Sequence, residues 1–350
     1  MPELRQDPIT LDWVAIAVER AKRPHTFTQA PKVVVKASEE CPFCTGRESE
    51  TPPEVMAYRE PAMADDGPGW KVRVVPNLYP AFGPAHGELN PRHVGPYLVM
   101  GGLGVHEVLI NNPEHYKDLG QLPLEDVSLV VKAYVDRLLA HKDNPVVRYM
   151  LIIVNHGREA GASREHPHAQ LFGIPLIPPY VAQEIQGLKR YRQEKETCGY
   201  CDMISYESRI GHRMIYENDA FVVFAPFASR VPFESWVFPR YHSSRFETMN
   251  DYQQHSFADA LRNVLGKLYY GLNDPPFNLY IHTAPYRDLG DSDYHWHVEI
   301  RPKLSIAAGF ELGAGIMINT ALPESAAEFL RLVAAEDIGH DRAAALARAK

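Results

Sequence analysis

All four cysteines of this 350-residue chain stand in two Cys-x-x-Cys pairs, Cys41 with Cys44 and Cys198 with Cys201, and each pair opens the same order of features. That self-similarity constrains the fold first, because a long-period repeat sets the architecture before any single element is considered. The first run continues through strand-like Lys71 to Val75, followed by Asn77 and Tyr79, and then Val105 to Ile110 leading to His115. An amphipathic helix, a strand at Tyr149 to Asn155 and a His-x-His of His166 and His168 follow. The second run has strand-like Phe221 to Phe224, then Phe233 to Phe238 leading to His242, a helix, a strand at Asn278 to His282, and His295 with His297. His115 precedes His166 by 51 residues and His242 precedes His295 by 53, so the chain reads as a diverged internal repeat.

The repeat selects metal ligands. Each half supplies two thiolates, a histidine at the end of a strand and the first histidine of its His-x-His, which is a tetrahedral Cys2His2 donor set. One site is then Cys41, Cys44, His115 and His166, and the other Cys198, Cys201, His242 and His295. With four protein ligands and no open position, both are expected to be structural zinc sites. The second histidine of each pair, His168 or His297, is expected to be free. Met1 to Trp13 carries no apolar core of the signal-peptide type, which points to a reducing, cytoplasmic setting. There, paired cysteines serve metal or redox chemistry more often than disulfides. A thioredoxin-like use requires one reactive pair between a strand and a helix, and two pairs trailed by histidines fit zinc better.

A net charge of -8 argues against a partner with a nucleic-acid backbone, and no apolar run reaches the length of a membrane span. Any nucleotide ligand is then small. Pro123 to Val127 begins a helix carrying Val127, Val130, Val131, Tyr134 and Leu138 at helical spacing, and Asn250 caps its counterpart through Leu261, Val264, Leu265 and Leu268. Tyr180 to Lys195 is a polar helix joining the halves, and the alanine-rich tail from Pro323 is helical. Strands separated by helices and hairpin-like turns predict an α+β fold, an antiparallel sheet with helices on one face. The expected units are 1–178, 196–322 and a tail at 323–350.

His166-Pro167-His168-Ala169-Gln170 carries the chemistry. In extended backbone, residues i and i+2 face the same side, so both imidazoles meet one pocket. One can be anchored while the other attacks, since a neutral histidine is a nucleophile once its second ring nitrogen is held. This segment, preceded by Asn155 and by Gly161 to Ser163, resembles the active site of galactose-1-phosphate uridylyltransferases, a branch of the histidine triad superfamily. The resemblance extends over nearly the whole chain. Arg20 to Pro24, the pair Cys41 and Cys44, and His115 at the end of Asn112-Pro113-Glu114 match the family pattern in order.

The resemblance implies two histidine-triad-like halves and a double displacement, in which the histidine matching His168 attacks the α-phosphorus of a nucleotide sugar. Sugar 1-phosphate leaves, and a second phosphate accepts the nucleotidyl group. It also implies that Asn77 and Asn155 serve the nucleotide and α-phosphate region, that Gly161 and Ser163 serve the β-phosphate side, and that Arg20 and Arg23 bind phosphates in a site shared across a homodimer. A phosphate leaves as a stable anion and needs no proton, so Gln170 can bind the developing charge without acting as an acid. Histidine triad hydrolases typically carry histidine at the position matching Gln170.

Two departures concern the hexose. Phe310 and Glu311 match the family's C-terminal sugar segment, but Ser305 and Met317 stand near where galactose enzymes carry lysine and glutamine. Residues 309–319 and the second cysteine pair look closer to ADP-glucose phosphorylase-like members, which pass adenylyl to inorganic phosphate. The main expectation is uridylyl exchange between UDP-glucose and hexose 1-phosphate, with the adenylyl reaction as the alternative and dinucleotide hydrolysis as a third class. A zinc-stabilised binding module is the non-catalytic alternative. The second metal, zinc or iron, has an alternative ligand set in Glu184, His282, His295 and His297, as better-known uridylyltransferases use a glutamate and three histidines.

Overall fold

The computed structural model describes residues 2–20, 41–83, 89–287 and 293–333. A hairpin of β1 (Glu3–Gln6) and β2 (Trp13–Ile16) starts the chain. Next come β3 (Met56–Arg59), β4 (Trp70–Pro76), a small exposed hairpin of β5 (Arg92–Val94) and β6 (Tyr97–Val99), and β7 (Val105–Ile110). Helix α1 (Leu124–His141), β8 (Tyr149–His156) and β9 (His168–Ile174) complete the first half, and α2 (Pro179–Lys195) leads out of it. The second half runs α3 (Gly199–Ile210), β10 (Met214–Glu217), β11 (Phe221–Phe224), β12 (Ser235–Pro239), α4 (Asp251–Leu272), β13 (Phe277–His282) and β14 (His297–Pro302). A short α5 (Gly309–Ala314), β15 (Met317–Asn319) and α6 (Pro323–Leu332) follow. Residues 334–350 of the expected helical tail lie outside the described residues.

The fold is α+β, built on one ten-stranded sheet in the order β10-β11-β12-β14-β13-β8-β9-β7-β4-β3, and every neighbouring pair is antiparallel. Outward from the central β8 and β13 pair, the first half runs β8-β9-β7-β4-β3 and the second β13-β14-β12-β11-β10, the same sequence of positions on both sides. The strand expected from Phe233 begins at Ser235, because Phe233 adopts a φ of 62° in the preceding turn.

The amphipathic stripes of α1 and α4 cover one face, burying Val127, Val130, Val131, Leu261, Val264 and Leu268 against Ala169, Leu171, Val298 and Ile300. A capping box between Asn250 and Gln253 starts α4, and Asn273 ends it in the left-handed conformation at φ 62°. Helices were expected on one face only. In the second half, α2 and α3 cover the other face as well, where Leu188, Tyr200 and Ile204 pack on Val222, Phe224, Trp236 and Phe238. This is why Phe221 to Phe224 reads as a continuous apolar run: a strand buried on both sides needs no polar alternation. In the first half Ala169 and Leu171 face α1 and α4, so His168, Gln170 and Phe172 project from the opposite face. No helix among the described residues is long and apolar enough to cross a membrane.

The loop after His115 rides against α4. A Cβ on Gly120 would lie 2.6 Å from the Gly266 nitrogen, a clash with helix backbone that no side-chain rotation relieves. Gly120→Ala should therefore cost about 2 kcal/mol of stability, read as a lower urea midpoint; an unchanged midpoint would show that the loop does not pack this closely.

Candidate active site and metal centres

The strand ends bring each expected Cys2His2 set together. In the first, His115 Nδ1 lies 3.2 Å from Cys44 Sγ, and His166 Nδ1 lies 3.6 Å from Cys44 Sγ and 3.8 Å from Cys41 Sγ. In the second, the Nδ1 atoms of His242 and His295 each lie 3.4 Å from Cys201 Sγ. Within each group all four ligand atoms fall within 4.8 Å of one another. A tetrahedral zinc ion with ordinary Zn–S and Zn–N bonds separates its sulfur and nitrogen ligands by about 3.6 Å, so both sets suit that ion. The far nitrogens are engaged too: His166 Nε2–H donates to the Asn112 carbonyl at 2.8 Å and His295 Nε2–H to the Pro239 carbonyl at 3.1 Å. These bonds turn Nδ1 toward the thiolates, as a ligating histidine requires. Burial, the main cause, lowers the His166 pKa to about 4, which keeps the ring neutral for a metal.

The second histidine of each pair has a different fate. His168 Nδ1–H donates to the His166 carbonyl at 2.8 Å, leaving the Nε2 lone pair exposed at the wall of a cleft of about 540 Å³. Burial holds this ring below the ordinary imidazole range and therefore uncharged. His297 makes the matching bond to the His295 carbonyl at 3.2 Å, but it is not free as expected. It is fully buried, with Nε2 3.5 Å from Glu184 and 3.8 Å from Glu299, because α2 carries Glu184 across this face. His282 Nδ1 also meets Glu184 at 3.2 Å, and Tyr294 donates to Glu184 at 2.5 Å. The alternative set of Glu184, His282, His295 and His297 is thus not assembled: His295 faces the cysteines, and Glu299 joins the other three.

Residues at the end of β8 shape the cleft by His168. Asn278 Nδ2 donates to the Ala160 carbonyl and to Asn155 Oδ1, each at 2.8 Å. A carbonyl only accepts, so this fixes the Asn278 amide and, through it, turns the Asn155 NH2 away from Asn278. Asn155, Ser163, Arg158 and Arg164 line the cleft. Gly161 holds a φ of +88°, closing the short turn between Asn155 and Ser163 in a conformation that favours glycine. Gln170 lies on β9 with its Oε1 2.9 Å from His106 Nε2.

A family model described as galactose-1-phosphate uridyl transferase, N-terminal domain, matches residues 1–178. The chain belongs to this family. A second model, for a domain of unknown function, matches residues 110–340. The chain is 36% identical over 337 residues to the ADP-glucose phosphorylase of Arabidopsis thaliana, covering 95% of this chain and 93% of that one. It is 30% identical over 340 residues to the galactose-1-phosphate uridylyltransferase of Thermotoga maritima, covering 95% and 98%. A crystal structure of the Arabidopsis ADP-glucose phosphorylase with bound ADP-glucose superposes with a TM-score of 0.80 at 35% identity, covering 95% of this chain and 100% of that one. These relatives transfer nucleotidyl groups, and the chain is a nucleotidyltransferase.

Other described residues that the family pattern implicates do not line the cleft by His168 within one chain. Asn77 follows β4, donates its backbone N–H to the His106 carbonyl and accepts from Tyr79 N–H through Oδ1. Phe310 and Glu311 sit on α5; Phe310 is exposed, and Glu311 accepts the Ala308 N–H at its own helix start. Neither lines the cleft. Arg20 ends a short turn and its side chain lies outside the described residues, as does all of Arg23.

Sequence reasoning assigned no role to His156, which follows Asn155 and lines the same cleft. Its Nδ1 meets Asp118 at 2.8 Å and its Nε2 meets Asp274 at 2.6 Å, while the ring stacks on Phe277 at 4.9 Å. Burial opposes its charge, but the bonds to Asp118 and Asp274 outweigh it and raise the pKa to about 10. A pKa raised in the folded state gives stability that is whole below the unfolded value near ~6.5 and lost as pH rises through the folded one. His156→Gln should therefore cost roughly 3 kcal/mol below pH ~6.5, and the deficit should shrink toward pH 10. Paired urea titrations across that range check this; a pH-independent deficit would mean the ring is not charged by folding.

Proposed function

We propose that the protein transfers a nucleotidyl group between two phosphates through a covalent nucleotidyl-His168 intermediate. The observation that carries this reading is the bond from His168 Nδ1–H to the His166 carbonyl, which leaves Nε2 as an unprotonated nucleophile at the cleft. Nε2 attacks the α-phosphorus of a nucleoside-diphosphate hexose; the N–P bond forms as the P–O bond to hexose 1-phosphate breaks, and the leaving oxygen keeps the electron pair. An oxygen of the second phosphate then attacks phosphorus, and the pair of the P–N bond returns to Nε2. Throughout, Nδ1–H stays on the His166 carbonyl and spreads the charge of the phosphorylated ring. Gln170, Asn155 and Ser163 bind the phosphates, with Arg158 and Arg164 on the cleft wall. Gly161 shapes the loop between them.

Two donors are supported by different observations. The uridylyl reading, from UDP-glucose to hexose 1-phosphate, rests on the family model and on the Thermotoga enzyme. The adenylyl reading, from ADP-glucose to inorganic phosphate, is favoured by the higher identity to the Arabidopsis phosphorylase and by its superposition in the ADP-glucose-bound state. We further propose two structural zinc ions, at Cys41, Cys44, His115 and His166 and at Cys198, Cys201, His242 and His295, which hold the strand ends and enter no reaction step. Free cysteine pairs suit a reducing cytoplasm. In this reading each half is a histidine-triad-like unit, 1–178 and 196–322, followed by the tail from 323. Arg20, Arg23, Asn77, Phe310 and Glu311 then complete a substrate site across a homodimer.

Incubation with UDP-glucose or ADP-glucose should add a uridylyl or adenylyl mass to the intact protein, and the nucleotide that loads faster identifies the donor. His168→Ala should carry no adduct while retaining its zinc and its circular dichroism. An adduct that persists in that variant would remove His168 as the nucleophile.

Cys41→Ser and Cys198→Ser should each lower bound zinc by about one ion per chain and reduce thermal stability, because a structural ion contributes directly to folding. Elemental analysis of the purified proteins measures this. Undiminished metal in Cys198→Ser would reject the second cysteine site.

A further inference from the structure

We infer that His106 is a positioning residue that aims the Gln170 amide at the transferred phosphoryl group, an inference that rests on the transferase reading above. In the register of β7 with β9, His106 stands opposite Phe172 and Val108 opposite Gln170, so His106 and Gln170 are diagonal neighbours on the face that also carries His168. The imidazole stacks on Phe172 with ring centres 4.1 Å apart and planes 27° apart. This leaves the ring edge pointing at three polar neighbours.

The hydrogen positions follow from those partners. Nδ1 lies 3.1 Å from the Ala81 N–H and accepts from it. A backbone N–H can only donate, so the neutral ring carries its one hydrogen on Nε2. Burial, the main influence on this ring, lowers its pKa and keeps it in that neutral form. Gln170 Oε1 and Asn77 Nδ2 lie 2.9 and 3.1 Å from Nε2. Asn77 cannot take the hydrogen, because its own Oδ1 already accepts from Tyr79 N–H and the end facing His106 is its NH2. The acceptor is therefore Gln170 Oε1.

With its oxygen engaged, Gln170 presents NH2 away from His106, on the same face as His168 two residues earlier. That orientation matters because the two ends of a glutamine amide are nearly the same shape and opposite in function. The NH2 end stabilises phosphoryl oxygens as charge develops on them, while the oxygen end repels them. Gln170 has no means of choosing by itself. His106, locked by a backbone N–H of the segment that follows β4, makes the choice for it.

The test is single-turnover nucleotidylation, with UDP-glucose and with ADP-glucose, of wild type, His106→Phe, His106→Gln, Gln170→Ala and the His106→Phe/Gln170→Ala double variant. Phenylalanine keeps the stack on Phe172 and removes both the N–H toward Gln170 and the Nδ1 acceptor of the Ala81 N–H. It should slow adduct formation at saturating nucleotide sugar by about tenfold or more, with the half-saturating concentration within about twofold. Glutamine at 106 offers an amide N–H and should restore most of the rate. The double variant should be no slower than Gln170→Ala alone, since His106 acts only through Gln170. Wild-type rates in His106→Phe, or additive losses in the double variant, overturn the inference. Should His106→Phe melt early or lose zinc, the comparison of His106→Gln with wild type decides: a rate near wild type supports the assigned role, and a rate as low as that of Gln170→Ala refutes it. No adduct on wild type with either donor would overturn the transferase reading itself, and this inference with it.

Discussion

Two carbonyl oxygens divide the labour between the imidazoles of the His-x-His. The Asn112 carbonyl takes the Nε2 hydrogen of His166 and the His166 carbonyl takes the Nδ1 hydrogen of His168, both at 2.8 Å. The first bond turns Nδ1 toward the cysteines and the second leaves Nε2 at the cleft, so one dipeptide spacing gives the two rings the separate roles proposed for them, ligand and nucleophile. Pro167 lies between them with φ restricted by its ring, and its carbonyl accepts the Asn111 N–H, tying the segment to the end of β7. The cysteine cluster, the floor of the cleft and the start of β9 all depend on this local geometry. A displaced His166 would move His168 with it.

The second half repeats the device and puts it to another use. His295 and His297 make the same pair of bonds, to the carbonyls of Pro239 and His295, and His295 still faces cysteines. What differs is the cover. In the first half the face bearing His168 borders a cleft; in the second, α2 and α3 lie over His297, and Glu184 arrives on α2. Burial opposes charge on both Glu184 and His297, yet His282 and His297 together drive the Glu184 carboxyl pKa down, and Glu184 raises that of His297. The ion pair extends through Glu299 to Arg301 and from there to Glu234. Such buried pairs are costly to break rather than strongly stabilising to make. Their effect here is to fix the helix on the sheet and to leave His297 no open side.

The parts of this site carried by spacing along the chain were legible in the sequence. Cysteine pairs, a histidine at each strand end and the His-x-His are local patterns whose chemistry depends on residue type, and the strand order of the sheet places each set together. The closing of the second half was not legible, because nothing in Tyr180 to Lys195 distinguishes a solvated polar helix from one that buries Glu184. His156 and His106 were also missed. Their partners, Asp118, Asp274 and the Ala81 N–H, lie 25 to 118 residues away and meet them through loop and strand packing. The position of His156 directly after Asn155 was the available signal. Its meaning required Asp118 and Asp274 to be seen on either side of the ring.

The charge around His168 fits a site that must release phosphates as readily as it captures them. His156 on the cleft wall is held charged, but two carboxylates surround its single positive charge, so the trio offers no surplus to an anion and acts as a buttress for the Asn155 turn. Positive charge free to meet phosphate comes from Arg158 and Arg164 at the exposed lip. Two neutral amides have their orientation fixed nearby: Asn155 on the cleft wall, held by Asn278, and Gln170, two residues from His168 on the same face of β9. Fixed neutral donors bind a ground-state phosphate modestly, and they strengthen as negative charge builds on the phosphoryl oxygens. Binding that grows toward the transition state raises turnover, whereas a cluster of cations would hold donor and product alike. An enzyme whose substrates, leaving group and acceptor are all phosphates therefore gains more from oriented amides than from added lysines or arginines beside its nucleophile.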